Sequence, residues 1–149
     1  MNQTEQPQIQ ILRIFLAHAE FKLADGPLDL AKLNTQYHLE VTLGIQSNAA
    51  DSLETSLNVK CINAELPKSV NIFVRVVGMF KGDPEHLKLF APNSGGLLMP
   101  YARAYITSLT SWGPMNPVII PPMNVTQAAL EQLSKPTTQA APALPEGRR

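Results

Sequence analysis

Cysteine is all but missing from this chain. Cys61 stands alone among 149 residues, so no internal disulfide is available, which fits a reducing compartment. An excess of either charge is missing too: 12 Lys and Arg balance 12 Asp and Glu. That balance argues against a nucleic-acid binder, which shows a basic face. It also gives no electrostatic pull toward a membrane surface or an acidic partner. Aromatic side chains make up 6% of the chain against 44% hydrophobic residues, so the core is expected to be aliphatic. No apolar run approaches the ~20 residues of a membrane span. The opening MNQTEQPQ carries no cationic patch leading into an apolar stretch, so no secretory signal is expected and cytoplasmic localisation is the default. His18, His38 and His86 lie far apart, with no ligand partner at metal spacing. Acidic residues are scattered without a pair arranged for acid–base work, and neither a nucleophile–base pair nor a phosphate loop is present. The chain reads as a protein without a metal, a cofactor or an enzymatic site.

What is present is a succession of strand patterns. Residues 8–23, QIQILRIFLAHAEFKL, are rich in branched and aromatic side chains. They alternate at Ile9 and Ile11 and again at Ala17, Ala19, Phe21 and Leu23. The pair Ile11-Leu12 breaks phase, so a bulge or a two-sided burial is expected there. Asp25-Gly26-Pro27 turns the chain, and residues 28–34, LDLAKLN, form a short amphipathic link. In the next strand Leu39, Val41, Leu43 and Ile45 share one face, opposite Glu40, Thr42, Gly44 and Gln46. Residues 47–51 are a hairpin-sized connection. Leu53, Thr55, Leu57, Val59 and Cys61 repeat the alternation, and in that phase Cys61 reads as a small buried apolar residue. After Glu65-Leu66-Pro67-Lys68, Val70, Ile72, Val74 and Val76 face one way, and Asn71, Phe73, Arg75, Val77 and Met79 the other. Four consecutive strands with short links predict an antiparallel meander. The last strand is apolar on both faces from Val76 to Phe80, so a further element must cover that end.

Gly82-Asp83-Pro84 and the PNSGG of residues 92–96 bracket a predicted loop. A helix is predicted over residues 98–112, with Pro100 near its first position, where the missing N–H costs nothing. Leu98, Tyr101, Ala102, Tyr105, Ile106 and Leu109 form a stripe at spacings of three and four. Gly113 suits the position after the helix, with Pro114 following. An apolar arm comes next, kept extended by Pro117, Pro121 and Pro122. A second short helix is predicted over residues 126–134, with Thr126 as its N-cap and Leu130 and Leu133 on one side. The tail from Lys135 has a disordered composition. The fold class is α+β: a four-stranded antiparallel meander, one long helix and a short C-terminal helix. One domain over residues 8–134, of modest core, is flanked by a flexible 1–7 and a disordered 135–149.

The stretch GGLLMPYARAYITSL resembles the long helix of the SecB export-chaperone family. Its Pro-Tyr-Ala-Arg signature stands here as Pro100, Tyr101, Ala102 and Arg103, and Ile106, Thr107 and Ser108 continue the match. Asn124-Val125 resemble the following segment. Ile11-Leu12-Arg13-Ile14 fit the first strand of the family, and Gly78 and Phe80 its fourth. The resemblance implies a subunit that pairs into a larger antiparallel sheet, and two such dimers that sandwich their long helices into a homotetramer. It further implies binding of unfolded polypeptides along apolar grooves. Members that hand clients to the SecA motor carry acidic residues on the outer sheet face. The matching positions here are His18, Lys22 and Phe73, and the tail ends in Glu-Gly-Arg-Arg rather than an acidic run. A cation or a phenyl ring does not offer a carboxylate's electrostatic partner, so this chain departs from the motor-docking pattern. SecB-like chaperones that protect an antitoxin are the branch that fits this loss.

The residues expected to carry these roles follow from the pattern. Tyr101, Ala102, Tyr105, Ile106 and Leu109 read as helix core or as an oligomer interface, which coincide if helices are buried between subunits. Val77, Met79 and Phe80 read as covered core. Leu28, Leu30, Leu33, Met115, Val118, Ile119, Ile120 and Met123 sit in irregular, proline-punctuated backbone where apolar side chains are harder to bury, and Met adapts its shape to many partners. With Leu130 and Leu133 they are the expected client-binding set. The function expected is that of an ATP-independent holdase for unfolded or nascent polypeptides. A dedicated antitoxin chaperone and a passive oligomeric adaptor are the rival readings.

Overall fold

A computed structural model describes residues 9–126. Its strands are β1 (Ile9–Leu23), β2 (Tyr37–Ala49), β3 (Ser52–Asn63) and β4 (Val70–Gly82). Its helices are α1 (Leu30–Leu33), α2 (Pro84–Phe90) and α3 (Ser94–Ser111), with a 3-10 turn, Ala91–Asn93, between the last two. The α+β class holds: one four-stranded antiparallel sheet, then a long helix. The meander holds only for β2, β3 and β4. The strand order is β1-β4-β3-β2, so β1 lies beside β4 rather than β2. This is a Greek-key order read in the reverse chain direction. The two later hairpins are local and lock β2, β3 and β4 together, leaving β1 a choice of two edges. β4 is apolar on both faces and gains most from a neighbour on each side.

Burial follows the alternation read from the sequence. Leu53, Thr55, Leu57, Val59 and Cys61 are all buried on β3, as are Val70, Ile72, Val74, Val76 and Phe80 on β4. Their shared face meets α3. The bulge expected at Ile11-Leu12 is present as a register shift between Ile11 and Arg13, and a second shift separates Leu16 from His18. Each reverses the phase of β1, which explains why its two stretches of alternation do not join into one.

α3 crosses the sheet at a notch of small residues. Thr55 pairs with Gly78 across β3 and β4. A Cβ on Gly78 would stand 2.8 Å from Leu98 Cδ2 and from Phe80 Cζ. The buried hydroxyls of Thr55 and Ser94 meet at 2.7 Å, tying β3 to the first turn of α3. Close approach of the helix is therefore possible only because this part of the sheet lacks bulk. Phe80 packs edge-on against Phe90, with ring centroids 5.0 Å apart.

Three boundaries differ from expectation. α3 starts at Ser94, so Gly95 and Gly96 lie within it and Pro100 is inside the helix rather than near its first position. Tertiary contact at the Thr55–Ser94 notch overrides the usual reading of Gly-Gly as loop. The predicted loop before it holds α2, whose start follows a legible signal: the Asp83 side chain accepts from the Glu85 N–H at 3.2 Å, with Pro84 at the first position. Finally, Val125 and Thr126 are both already helical. The Thr126 hydroxyl reaches back to the Pro92 carbonyl at 2.9 Å, so Thr126 lies inside that helix rather than capping it. The rest of the predicted short helix, with Leu130 and Leu133, lies outside the described residues, as do the two flanking tails.

Candidate functional site

The arm expected to be open platform is instead laid along α3. It leaves the helix at Gly113, whose N–H donates to the Thr110 carbonyl at 3.1 Å. Gly113 does not use the left-handed backbone common at this position, since the one positive φ among the described residues is at Gly26. Its value is absence of bulk: a Cβ there would meet the Phe21 ring at 2.6 Å. The arm then runs back along the helix. The Asn116 N–H donates to Asn34 Oδ1 at 2.7 Å. The Thr107 hydroxyl donates to the Val118 carbonyl, and the Val118 N–H donates to Thr110 Oγ1, both at 2.8 Å. Arg103 Nε donates to the Ile120 carbonyl at 2.9 Å.

These bonds divide the candidate residues. Leu33, Met115, Val118 and Ile120 are buried in the core, and Leu28 and Met123 pack against it half-buried. Leu30 and Ile119 stand out at 54% and 75% exposure. The expectation that irregular backbone leaves these side chains uncovered thus fails for the buried four. Side chains of α3 satisfy the arm's backbone polar groups, which is what allows such a segment to pack inward. Asn63 does the same for the link after β1: wholly buried, its amide donates to the Lys32 carbonyl and accepts from the Glu65 and Leu66 N–H groups.

The helix stripe divides too. Ala102 and Ile106 face the sheet without exposure, Tyr105 and Leu109 are half-buried at its margin, and Tyr101 is 45% exposed. With Leu97, Pro100, Ala104 and Ser108 it makes an outward helix face without a charge. Uncharged, partly apolar faces of this kind mark contact surfaces. Trp112, at the helix end, is the most exposed large apolar residue at 87%; no periodic signal in the sequence singled it out. Arg103, Thr107 and Thr110 were also not singled out as a set, because their role depends on where the arm lies.

The face of the sheet opposite α3 carries the odd positions of β4. His18 pairs with Arg75, Glu20 with Phe73 and Lys22 with Asn71, so His18, Lys22 and Phe73 all stand on this outer face. His18 tilts onto the Phe73 ring at 5.6 Å, and Arg75 Nε donates to Asn58 Oδ1 at 2.8 Å. Val77 is buried on this face while Met79 is half-buried. Among the described residues no three His, Cys, Asp or Glu side chains are grouped to hold a metal. No helix among the described residues is long and apolar enough to cross a membrane. Burial pushes the Cys61 thiol up to about 12, which makes it a poor nucleophile.

Sheet, crossing helix, strapped arm and uncharged helix face make one α+β unit with no enzymatic or metal-binding constellation among the described residues. No protein-family model matches the chain. It is 27% identical to the protein-export protein SecB of Methylococcus capsulatus, over 97% of this chain and 97% of that protein. It is 28% identical to the uncharacterized protein MJ0357 of Methanocaldococcus jannaschii, over 82% of this chain and 84% of that one. Among solved structures it is similar to the SecB-like chaperone Rv1957 of Mycobacterium tuberculosis, in complex with a ChAD peptide from the Rv1956 HigA1 antitoxin. The TM-score is 0.62 with 21% identity, covering 77% of this chain and 90% of that one. The chain is SecB-like, in sequence along nearly its whole length and in fold.

Proposed function

We propose that this protein is a holdase chaperone that binds non-native polypeptides without nucleotide and keeps them competent for folding or export. The observation that carries the reading is apolar surface left over beside that used in self-association: Trp112 at the end of α3, Ile119 on the arm and Leu30 on α1 stand exposed. Similarity to proteins named as a SecB and a SecB-like chaperone supports it. In this reading the outward face of α3 is used in self-association. The free edge of β1, which exposes Ile11 and Leu12, pairs with a second copy to extend the sheet. Two such dimers joined through α3 give the tetramer. The client site is the arm and the α1 link, where Leu30 and Ile119 are exposed and Leu28 and Met123 half-buried, while Leu33, Met115, Val118 and Ile120 become available only when the arm moves. Several weak contacts along one client supply affinity where no single pocket does. The reading involves no enzymatic step, and a cytoplasmic setting suits it.

A second reading has its own support. The similar chaperone Rv1957 is seen with an antitoxin peptide, and His18, Lys22 and Phe73, which share the outer sheet face, are not the carboxylates that the family resemblance implies for SecA docking. This favours a dedicated chaperone of one antitoxin-like client over a motor-docking export factor. Light scattering of an unrelated, chemically unfolded protein diluted with and without this chain tests both. Suppression near one oligomer per client supports the general holdase. Absence of suppression sets that role aside and leaves the dedicated chaperone or a passive adaptor.

A further inference from the structure

Residues 115–123 have no backbone–backbone hydrogen bond to any described residue. Pro114, Pro117, Pro121 and Pro122 remove four of the arm's N–H donors. Instead, Arg103, Thr107 and Thr110, spaced four and three apart on one side of α3, take the Val118 and Ile120 carbonyls and the Val118 N–H. Those contacts read backbone and not side-chain identity. Between them Val118 and Ile120, two residues apart, turn into the core while Ile119 turns out, which is the geometry of any extended segment. The groove along α3 thus already holds a peptide of the chemistry expected of a non-native client: extended, apolar at alternate positions, bound through its carbonyls.

We propose that residues 113–126 are a strap that fills this groove in the free protein, and that an extended segment of a non-native polypeptide displaces it. This deepens, and rests on, the holdase reading above. The incoming segment meets Arg103, Thr107 and Thr110 in the strap's place and buries its own alternate side chains where Val118 and Ile120 lay. Because the three polar groups bond backbone, the exchange tolerates many sequences. Because the strap competes, affinity for any one segment is the intrinsic affinity multiplied by the fraction of molecules in which the groove is open. The released strap leaves Met115, Val118 and Ile120 open to solvent.

The test is thiol labelling of the full chain carrying Val118→Cys, a substitution of similar size. The native Cys61, wholly buried in β3, serves as an internal reporter of global opening. The probe is a reduced, alkylated polypeptide that stays unfolded and carries a fluorophore, so that its binding is followed by anisotropy in the same sample. The expected result is labelling at position 118 that speeds up about tenfold or more as the polypeptide saturates, while Cys61 stays protected. If the polypeptide binds and labelling at 118 is unchanged or slower, the strap proposal is overturned and the holdase reading stands. Faster labelling at both thiols means global opening and also overturns it. If the polypeptide does not bind, the holdase reading fails and takes the strap with it. Should Val118→Cys not fold, seen as a labile Cys61 without polypeptide, Met115→Cys carries the same measurement.

Discussion

Cys61 shows how one side chain ties alternation to stability. It lies in phase with Leu57 and Val59 on β3 and is wholly buried. Removal from water disfavours its thiolate, so its pKa rises from 9.0 to about 12. A group whose folded pKa is raised contributes its full stability below the unfolded value and loses it as pH climbs through the folded one. Stability is therefore expected to fall between pH 9 and about 12 as the unfolded chain ionises first. Burial also raises the Tyr37 phenol from its ordinary 10.0, which adds a loss of the same sign that begins once the unfolded phenol ionises. Cys61→Ala is expected to be less stable than the parent near neutral pH because of the void it leaves. Its decline toward about pH 10 should be shallower, by about 1 kcal/mol. Urea midpoints of both proteins at the two pH values check this, and parallel declines refute it. The buried, inert role of Cys61 was legible in the sequence because alternation on a strand has only two faces. The role of Asn63 was not, since its partners, the Lys32 carbonyl and the N–H groups of Glu65 and Leu66, belong to two separate links.

At the scale of elements, the seating of α3 on the sheet is set by what the sheet lacks. Gly78 leaves room for Leu98 and Phe80, both without exposure. Gly78→Ala places a methyl where those two wholly buried side chains meet, so one of them must shift. The expected cost is about 1–3 kcal/mol, as for overpacking elsewhere, read as a lower urea midpoint. A fully stable variant would mean the helix can ride up from β4 at no expense. Strands were easily read because their period is two and each presented one apolar face. Helix limits were harder. Gly95-Gly96 and Pro100 are local stop or start signals, yet all three lie inside α3. The contact between Ser94 and Thr55, 39 positions apart, outweighs them. The arm was misjudged for a related reason: its prolines forbid secondary structure, but Arg103, Thr107 and Thr110 supply bonds that secondary structure would otherwise provide.

At the scale of the molecule, the proposed assembly uses two surfaces, the β1 edge and the outward face of α3. Tyr105 is half-buried at the margin of the core, so a charge there strains the subunit as well as any interface. Tyr101, more exposed, is the cleaner probe. In the proposed tetramer, Tyr101→Asp is expected to leave the fold and its thermal transition largely intact while reducing the assembly to a dimer. The desolvation of an unpaired carboxylate between packed helices exceeds what the contact returns. Light scattering coupled to size-exclusion gives the mass directly. A tetramer that persists would place the helix outside the interface.

The sequence by itself determined the class of this protein. Alternation assigned most strand residues to a face, and the PYAR-bearing stretch marked the long helix. These are local properties, readable from residues two to four apart. Only the tertiary structure decided that β1 lies beside β4, that α3 begins at Ser94, and that the arm returns along the helix to bury Met115, Val118 and Ile120. Each depends on partners tens of residues away. Which of several permitted neighbours a segment takes is settled by the competition to bury the whole core at once, and that competition leaves no periodic trace in the chain.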